Sequence, residues 1–176
     1  MIRERGHESL TARNLAAFLG CSTQPIMYHF PTMENLKRAV YSKADRFHTD
    51  YLMRSSGEND PILEIGLNYI RFAIKEPHLF RFLFQSGYAK ENNLLEMIDS
   101  QELVPILSVM QEGVGLDMEK TREVFLTVAL FAHGYASIIA NNALEFDEQL
   151  VASHLVRAFI GAKLAVSQED DNEKDV

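Results

Sequence analysis

The chain has 176 residues, 47% of them hydrophobic, and a net charge of −8, so it can build a real core as one ordinary domain or as a small domain plus a moderate one. The single cysteine, Cys21, excludes an internal disulfide and fits a reducing compartment. No basic, apolar, small-residue leader opens the sequence, which argues against export and for a cytoplasmic protein.

Apolar residues recur at helical spacing nearly throughout, strand signals are almost absent and no repeat is visible, so the expected fold is all-α. Thr11 can cap a first complete helix running to about Leu19, and a second is expected over 23–30, with Pro25 in its first turn where a missing N–H is harmless. Thr32 caps a longer helix over 33–53, with Glu34 well placed near its positive end. RSSGEND, residues 54–60, is polar, contains a glycine and precedes Pro61, so it reads as a linker. A helix over 61–75 is broken at Glu76-Pro77 and followed by a short aromatic one over 78–85. Residues 86–93 read as a loop, and 94–112 as a helix or helix pair bent at Pro105. Gly113-Val114-Gly115 turns the chain, Asp117 caps a long helix to about Asn142, and Asp147 caps a last one to about Val166. The acidic, apolar-poor residues 167–176 read as a disordered tail.

Residues 10–36 carry the most specific pattern. Ala16 is small where two helices must nearly touch, Gly20 closes the first helix in a left-handed conformation, and Ile26 anchors the second by burial. This is the spacing of a helix-turn-helix. Thr23, Gln24 and Pro25 then begin a recognition helix, and Gln24 is the natural base reader because its amide can pair bidentately with adenine. Phe30, Leu36, Leu15 and Leu19 are assigned to the core. With Leu10-Thr11 before the first helix and Tyr28-His29-Phe30, Glu34 and Leu36 after it, residues 6–45 resemble the DNA-binding domain of the TetR family of bacterial transcriptional regulators. The rest of the chain resembles that family only in layout. The resemblance implies that Tyr28 and His29 lie along the DNA backbone and that Thr11 meets a phosphate. It also marks two departures: Met33 stands where the family usually has a phosphate-binding Lys, and only residues 1–5 precede Gly6, where the family has about a dozen, so the first helix is expected to be shortened.

Charge is divided along the chain. Residues 1–54 hold eight Lys or Arg against five Asp or Glu, a balance of +3, and residues 55–176 hold nine against twenty, a balance of −11. A basic head on an acidic body suits a protein that presents one end to phosphates.

In the body, Phe72, Phe80, Phe84, Tyr88, Met97, Met110, Phe131 and His133 are candidates to line a pocket for an apolar or aromatic small molecule. His133, in the most apolar helix, is expected to pair with a backbone carbonyl or Ser137 in preference to a ligand. Val128, Tyr135 and Ile139 in one long helix, and Val151, Leu155, Ala158 and Ala162 in the last, form stripes expected to meet a second subunit. Residues 124–144 contain no Asp, Glu, Lys or Arg and are long enough to cross a bilayer, but the preferred reading is a helix buried on all sides, without a membrane. The six histidines show no metal spacing, no triad supports catalysis, and no Gly-rich phosphate loop is present, so neither enzyme activity, metal nor cofactor is expected.

The expected architecture is therefore a three-helix DNA-binding head over 1–53, a linker over 54–60, a helical ligand-binding and dimerisation domain over 61–166, and the tail. The expected function is that of a homodimeric TetR-like regulator, a repressor by resemblance, whose grip on double-stranded operator DNA is set by a small-molecule effector. The alternative is a dimeric small-molecule-binding protein that has lost DNA binding through its shortened first helix.

Overall fold

The computed structural model describes residues 1–57, 60–89, 93, 96, 98–142 and 144–174, with side chains to Gln168 in the last helix. Among these residues every regular element is helical. α1 (Ile2–Arg5) and a single 3-10 turn (His7–Ser9) lead into α2 (Ala12–Leu19), α3 (Thr23–His29) and α4 (Met33–Leu52). α5 (Pro61–Lys75), α6 (Pro77–Gln85), α7 (Val104–Val114), α8 (Met118–Asn142) and α9 (Glu148–Lys174) follow.

The starts of these helices follow from local chemistry. Thr11 accepts from Asn14 N at 3.1 Å and Thr32 from Asn35 N at 3.1 Å, each hydroxyl satisfying an amide that has no partner inside its helix. Asp60, Asp117 and Asp147 do the same for α5, α8 and α9, accepting from Ile62 N at 2.9 Å, Lys120 N at 2.9 Å and Leu150 N at 3.0 Å. Gly20 ends α2 at φ +69°, and Cys21 N then donates to Ala16 O at 3.0 Å.

The centre of the molecule is a set of rings and aliphatic side chains from α5 and α6, with Phe72, Phe80, Phe82, Leu67 and Ile70 almost fully buried. α5 packs against α4, α8 and α9, and α8 also against α7 and α9. The same buried cluster continues into the N-terminal helices through Ile2, Leu10, Ala16, Ile26 and Leu36. α1 rests on α6: Arg3 is paired with the buried Glu76, and the ring of His7 stacks on Phe82 at 5.6 Å. Tyr41 of α4 donates to Leu83 O of α6 at 3.1 Å, and Lys37 donates to the Tyr88 hydroxyl at 2.7 Å.

The sequence-based expectations need correction at several places. Leu19 is 59% exposed and Phe18 55%, because among the described residues no helix lies on that side of α2; Leu15 and Phe30 are half-buried and Leu36 is buried as expected. Pro105 stands in the first turn of α7, so it starts a helix where a bend was expected, after a 3-10 turn at Gln101–Leu103. The last helix runs on to Lys174, so residues 167–174 extend it; they contain neither Gly nor Pro to stop it. Helices Met118–Asn142 and Glu148–Gln168 are both long and apolar enough to cross a membrane by length and composition, yet less than a quarter of each apolar window is buried. The helix expected to be buried on all sides thus has an open apolar face.

Candidate functional site

Two places in the molecule bring together residues of chemical interest. The first is the outer surface of α2 and α3. Ile26 is buried and turns α3 so that Thr23, Gln24, Pro25, Tyr28 and His29 are all exposed, with Tyr28 at 82%. A role for Tyr28 and His29 as core fillers is thereby excluded; their rings meet edge to face at 5.5 Å outside the core. Thr11 is exposed at the start of α2 with its hydroxyl engaged as the cap. All six residues selected from the sequence thus stand on the surface of these two helices and the turn before them. Cys21 is exposed in the intervening turn.

The second is a cavity of about 390 Å³ enclosed by α4, α5, the end of α6, α7 and α8. Its wall is aliphatic and aromatic, with Leu52, Ile65, Ile106 and Phe125 among the apolar contributors. Of the residues chosen from the sequence, Phe84, Met110 and His133 line it. Phe72 and Phe80 do not: Phe72 packs on Tyr51 and His48 at 5.4 and 4.8 Å, and Phe80 stacks against His133 at 5.6 Å, inside the core. Tyr88 is held by Lys37 and leans on Phe82 at 5.9 Å, and Phe131 stacks on His154 of α9 at 6.4 Å. Met97 lies outside the described residues.

The polar groups of this wall are few. Tyr69 and His133 share a hydrogen bond of 2.8 Å between the hydroxyl and Nδ1, which replaces the expected partner, Ser137 or a carbonyl. Ser137 instead accepts from Gln85 at 3.5 Å and Asn141 at 3.4 Å. Burial raises the Tyr69 pKa and lowers that of His133, so both are neutral and the tyrosine has its proton to donate. His48 is 6% exposed and ringed by Tyr69, Phe72 and Phe84, and burial lowers its pKa to about 3. Among the described residues its Nε2 is the buried side-chain polar atom without a hydrogen-bond partner. The sequence reading missed His48: Ala44, His48 and Leu52 are buried at four-residue intervals on α4, but the charged residues among them mask that signal. Below the cavity, Arg71 binds Glu64 at 2.7 Å and Glu148 at 2.6 Å, and Asn68 donates to Leu52 O and Arg54 O at 3.1 and 2.7 Å, which fixes the end of α4 to α5 and α9.

The stripes expected at a subunit interface are mostly used within the chain. Val151, Leu155, Ala162 and Ile139 are 0%, 3%, 7% and 5% exposed, and Leu155 sits where a Cβ on Gly66 would lie 3.2 Å away. Val128 lines the cavity, and Tyr135 and Ala158 are half-buried. The open apolar face is rotated from the expected one: Leu130 and Ile138 on α8, and Val156, Ile160 and Leu164 on α9. No group of His, Cys, Asp or Glu able to hold a metal occurs among the described residues. Compared with protein-family models, with curated proteins and with solved structures, the chain matches none.

Proposed function

We propose that this protein is a TetR-like, DNA-binding transcriptional regulator, acting as a repressor, whose affinity for operator DNA is set by a small apolar or aromatic molecule in the cavity. The observation that carries the reading is α3: one apolar residue faces inward while Thr23, Gln24, Pro25, Tyr28 and His29 project outward from a seven-residue helix. Gln24 reads a base edge, Thr23 meets a thymine methyl or a phosphate, and Tyr28, His29 and Thr11 position the helix on the backbone. The +3 balance of residues 1–54 supports contact with phosphates at this end.

α4 links the two places, since its first turn follows α3 directly and His48 and Leu52 near its end line the cavity. A ligand that favours one position of α4 changes DNA affinity by its differential affinity for the two positions. Two heads on neighbouring half-sites require a two-fold partner, and the open face of Leu130, Ile138, Val156, Ile160 and Leu164 supplies a surface for a second copy. Selection from random duplexes followed by titration of the selected palindrome tests the reading: sequence-dependent binding is expected, and equal binding to every duplex refutes it. A second reading, a ligand-binding dimer without DNA function, is favoured by exposed Phe18 and Leu19 on α2 and by Met33 in the place of a phosphate-binding Lys; the same selection separates the two.

A further inference from the structure

A cavity lined mainly by hydrocarbon would ordinarily take any apolar molecule of suitable size. Among its polar wall residues His48 stands apart. It is 6% exposed, and among the described residues its Nε2 has no partner. Leaving such a group unmatched is destabilising, and buried polar atoms in folded proteins are nearly always matched. No side chain among the described residues relieves it; the Tyr69 hydroxyl, whose ring packs on His48, is bonded to His133.

The wall also limits the charge of an occupant. No Lys or Arg stands among the described lining residues, whereas Asp45 and Glu102 do. A carboxylate ligand would enter without a counter-ion and beside like charge, at the full cost of its desolvation. A neutral imidazole supplies one hydrogen-bonding function at each nitrogen and no charge, so His48 itself gives an ammonium no anionic partner; Asp45 and Glu102 are the wall groups that could. A hydroxyl is different: it both donates and accepts, and so satisfies Nε2 whichever ring nitrogen bears the proton. A ketone or ether oxygen accepts only and serves one of the two tautomers.

We propose that the occupant of this cavity is a mainly hydrocarbon molecule that carries a hydroxyl group, a phenol or an alcohol, and no carboxylate, and that His48 Nε2 is the atom that recognises the hydroxyl. His48 remains neutral across the ordinary pH range because burial lowers its pKa to about 3. The proposal rests on the regulator reading only in taking the cavity for a ligand site; it does not require DNA.

The test uses the full chain and three probes of one skeleton: biphenyl, 4-hydroxybiphenyl and biphenyl-4-carboxylate, at pH 7 without DNA. Calorimetric titration is expected to give a dissociation constant for 4-hydroxybiphenyl ~tenfold below that for biphenyl, the worth of one well-made hydrogen bond, with the carboxylate weaker still. In the ¹⁵N-labelled protein the His48 Nε2 resonance is expected to move on adding 4-hydroxybiphenyl and to stay in place with biphenyl. His48→Phe should bring the two neutral probes to within about threefold of each other. Absence of binding by the phenol, a phenol no tighter than biphenyl, a tighter carboxylate, or a His48 resonance that does not respond each overturns the proposal and leaves His48 a packing residue. The resonance is read in the unaltered protein, so the test stands if the variant fails to fold. Phenol binding without any effect on operator affinity would defeat the regulator reading alone.

Discussion

Gln24 and His48 hold the two proposed recognition events, and their environments are opposite. Gln24 is exposed in the first turn of α3, so truncating it removes no packing. Gln24→Ala should leave the melting temperature unchanged and weaken binding to the selected operator by ~10- to 100-fold, the ~1–3 kcal/mol of one bidentate base contact, while affinity for unrelated duplexes stays the same. Fluorescence anisotropy on both duplexes checks this. His48 is enclosed by three aromatic rings and pays for its position at low pH. Its folded pKa, about 3, lies below the ordinary histidine value. Above ~6.5 neither the folded nor the unfolded chain protonates it, and its titration is silent. Below that pH the unfolded chain takes up a proton that the folded chain refuses, so stability falls by ~1.4 kcal/mol per pH unit until the pH nears the folded value. His48→Phe removes both this slope and the unmatched nitrogen. Urea unfolding at pH 7 should show the variant ~1 kcal/mol more stable, and the difference should widen at pH 5. His133, also lowered by burial, keeps a smaller dependence in the variant.

At the scale of the element, legibility depended on whether the determining chemistry was local. The caps Thr11, Thr32, Asp117 and Asp147 were readable because each acts on amides within three residues of itself; Asp60, read as part of the linker, acts in the same way. Gly20 was readable for the same reason, and it yields a clean experiment. Its φ is +69° and a Cβ there would meet nothing within 4 Å, so a side chain meets only backbone strain and no clash. Gly20→Ala should therefore cost ~1–2 kcal/mol in thermal unfolding followed by circular dichroism, and it should lower operator affinity because the strain is relieved by re-aiming α3. What the sequence concealed was the choice between faces. α9 is apolar on two sides, and periodicity does not reveal which side meets α8 and α5; the small residues Ala158 and Ala162 suggested the outer side, and close approach within the chain used them. Likewise Phe72 on α5 and Phe84 on α6 look alike as aromatic residues of apolar helices, yet only Phe84 lines the cavity. His48 was hidden because α4 carries so many charged residues that a histidine in it reads as surface.

For the whole molecule, the division of charge and the open apolar face require the same arrangement. A −11 body repels a like body unless apolar contact outweighs the repulsion, and Leu130, Ile138, Val156, Ile160 and Leu164 lie on the two helices whose apolar windows are least covered. In an isologous pair each of these side chains is used twice, once from each copy, so one charge introduced there enters the interface twice. Ile160 is half exposed in the single chain, and Ile160→Glu therefore has little effect on folding. In the proposed dimer the same change buries two carboxylates in the interface, a desolvation cost with no opposite charge introduced to offset it. Sedimentation equilibrium should give a dimer for the unaltered chain and a monomer for Ile160→Glu. The monomer should lose the steep dependence on half-site spacing and most of its operator affinity. It should bind 4-hydroxybiphenyl much as before, because Ile160 does not line the cavity; of the open face, Leu130 alone also belongs to the cavity wall. A monomeric unaltered chain, or a variant that remains dimeric, assigns the exposed face to something other than a second copy; loss of phenol binding together with dimerisation would place the interface and the cavity in one cooperative unit.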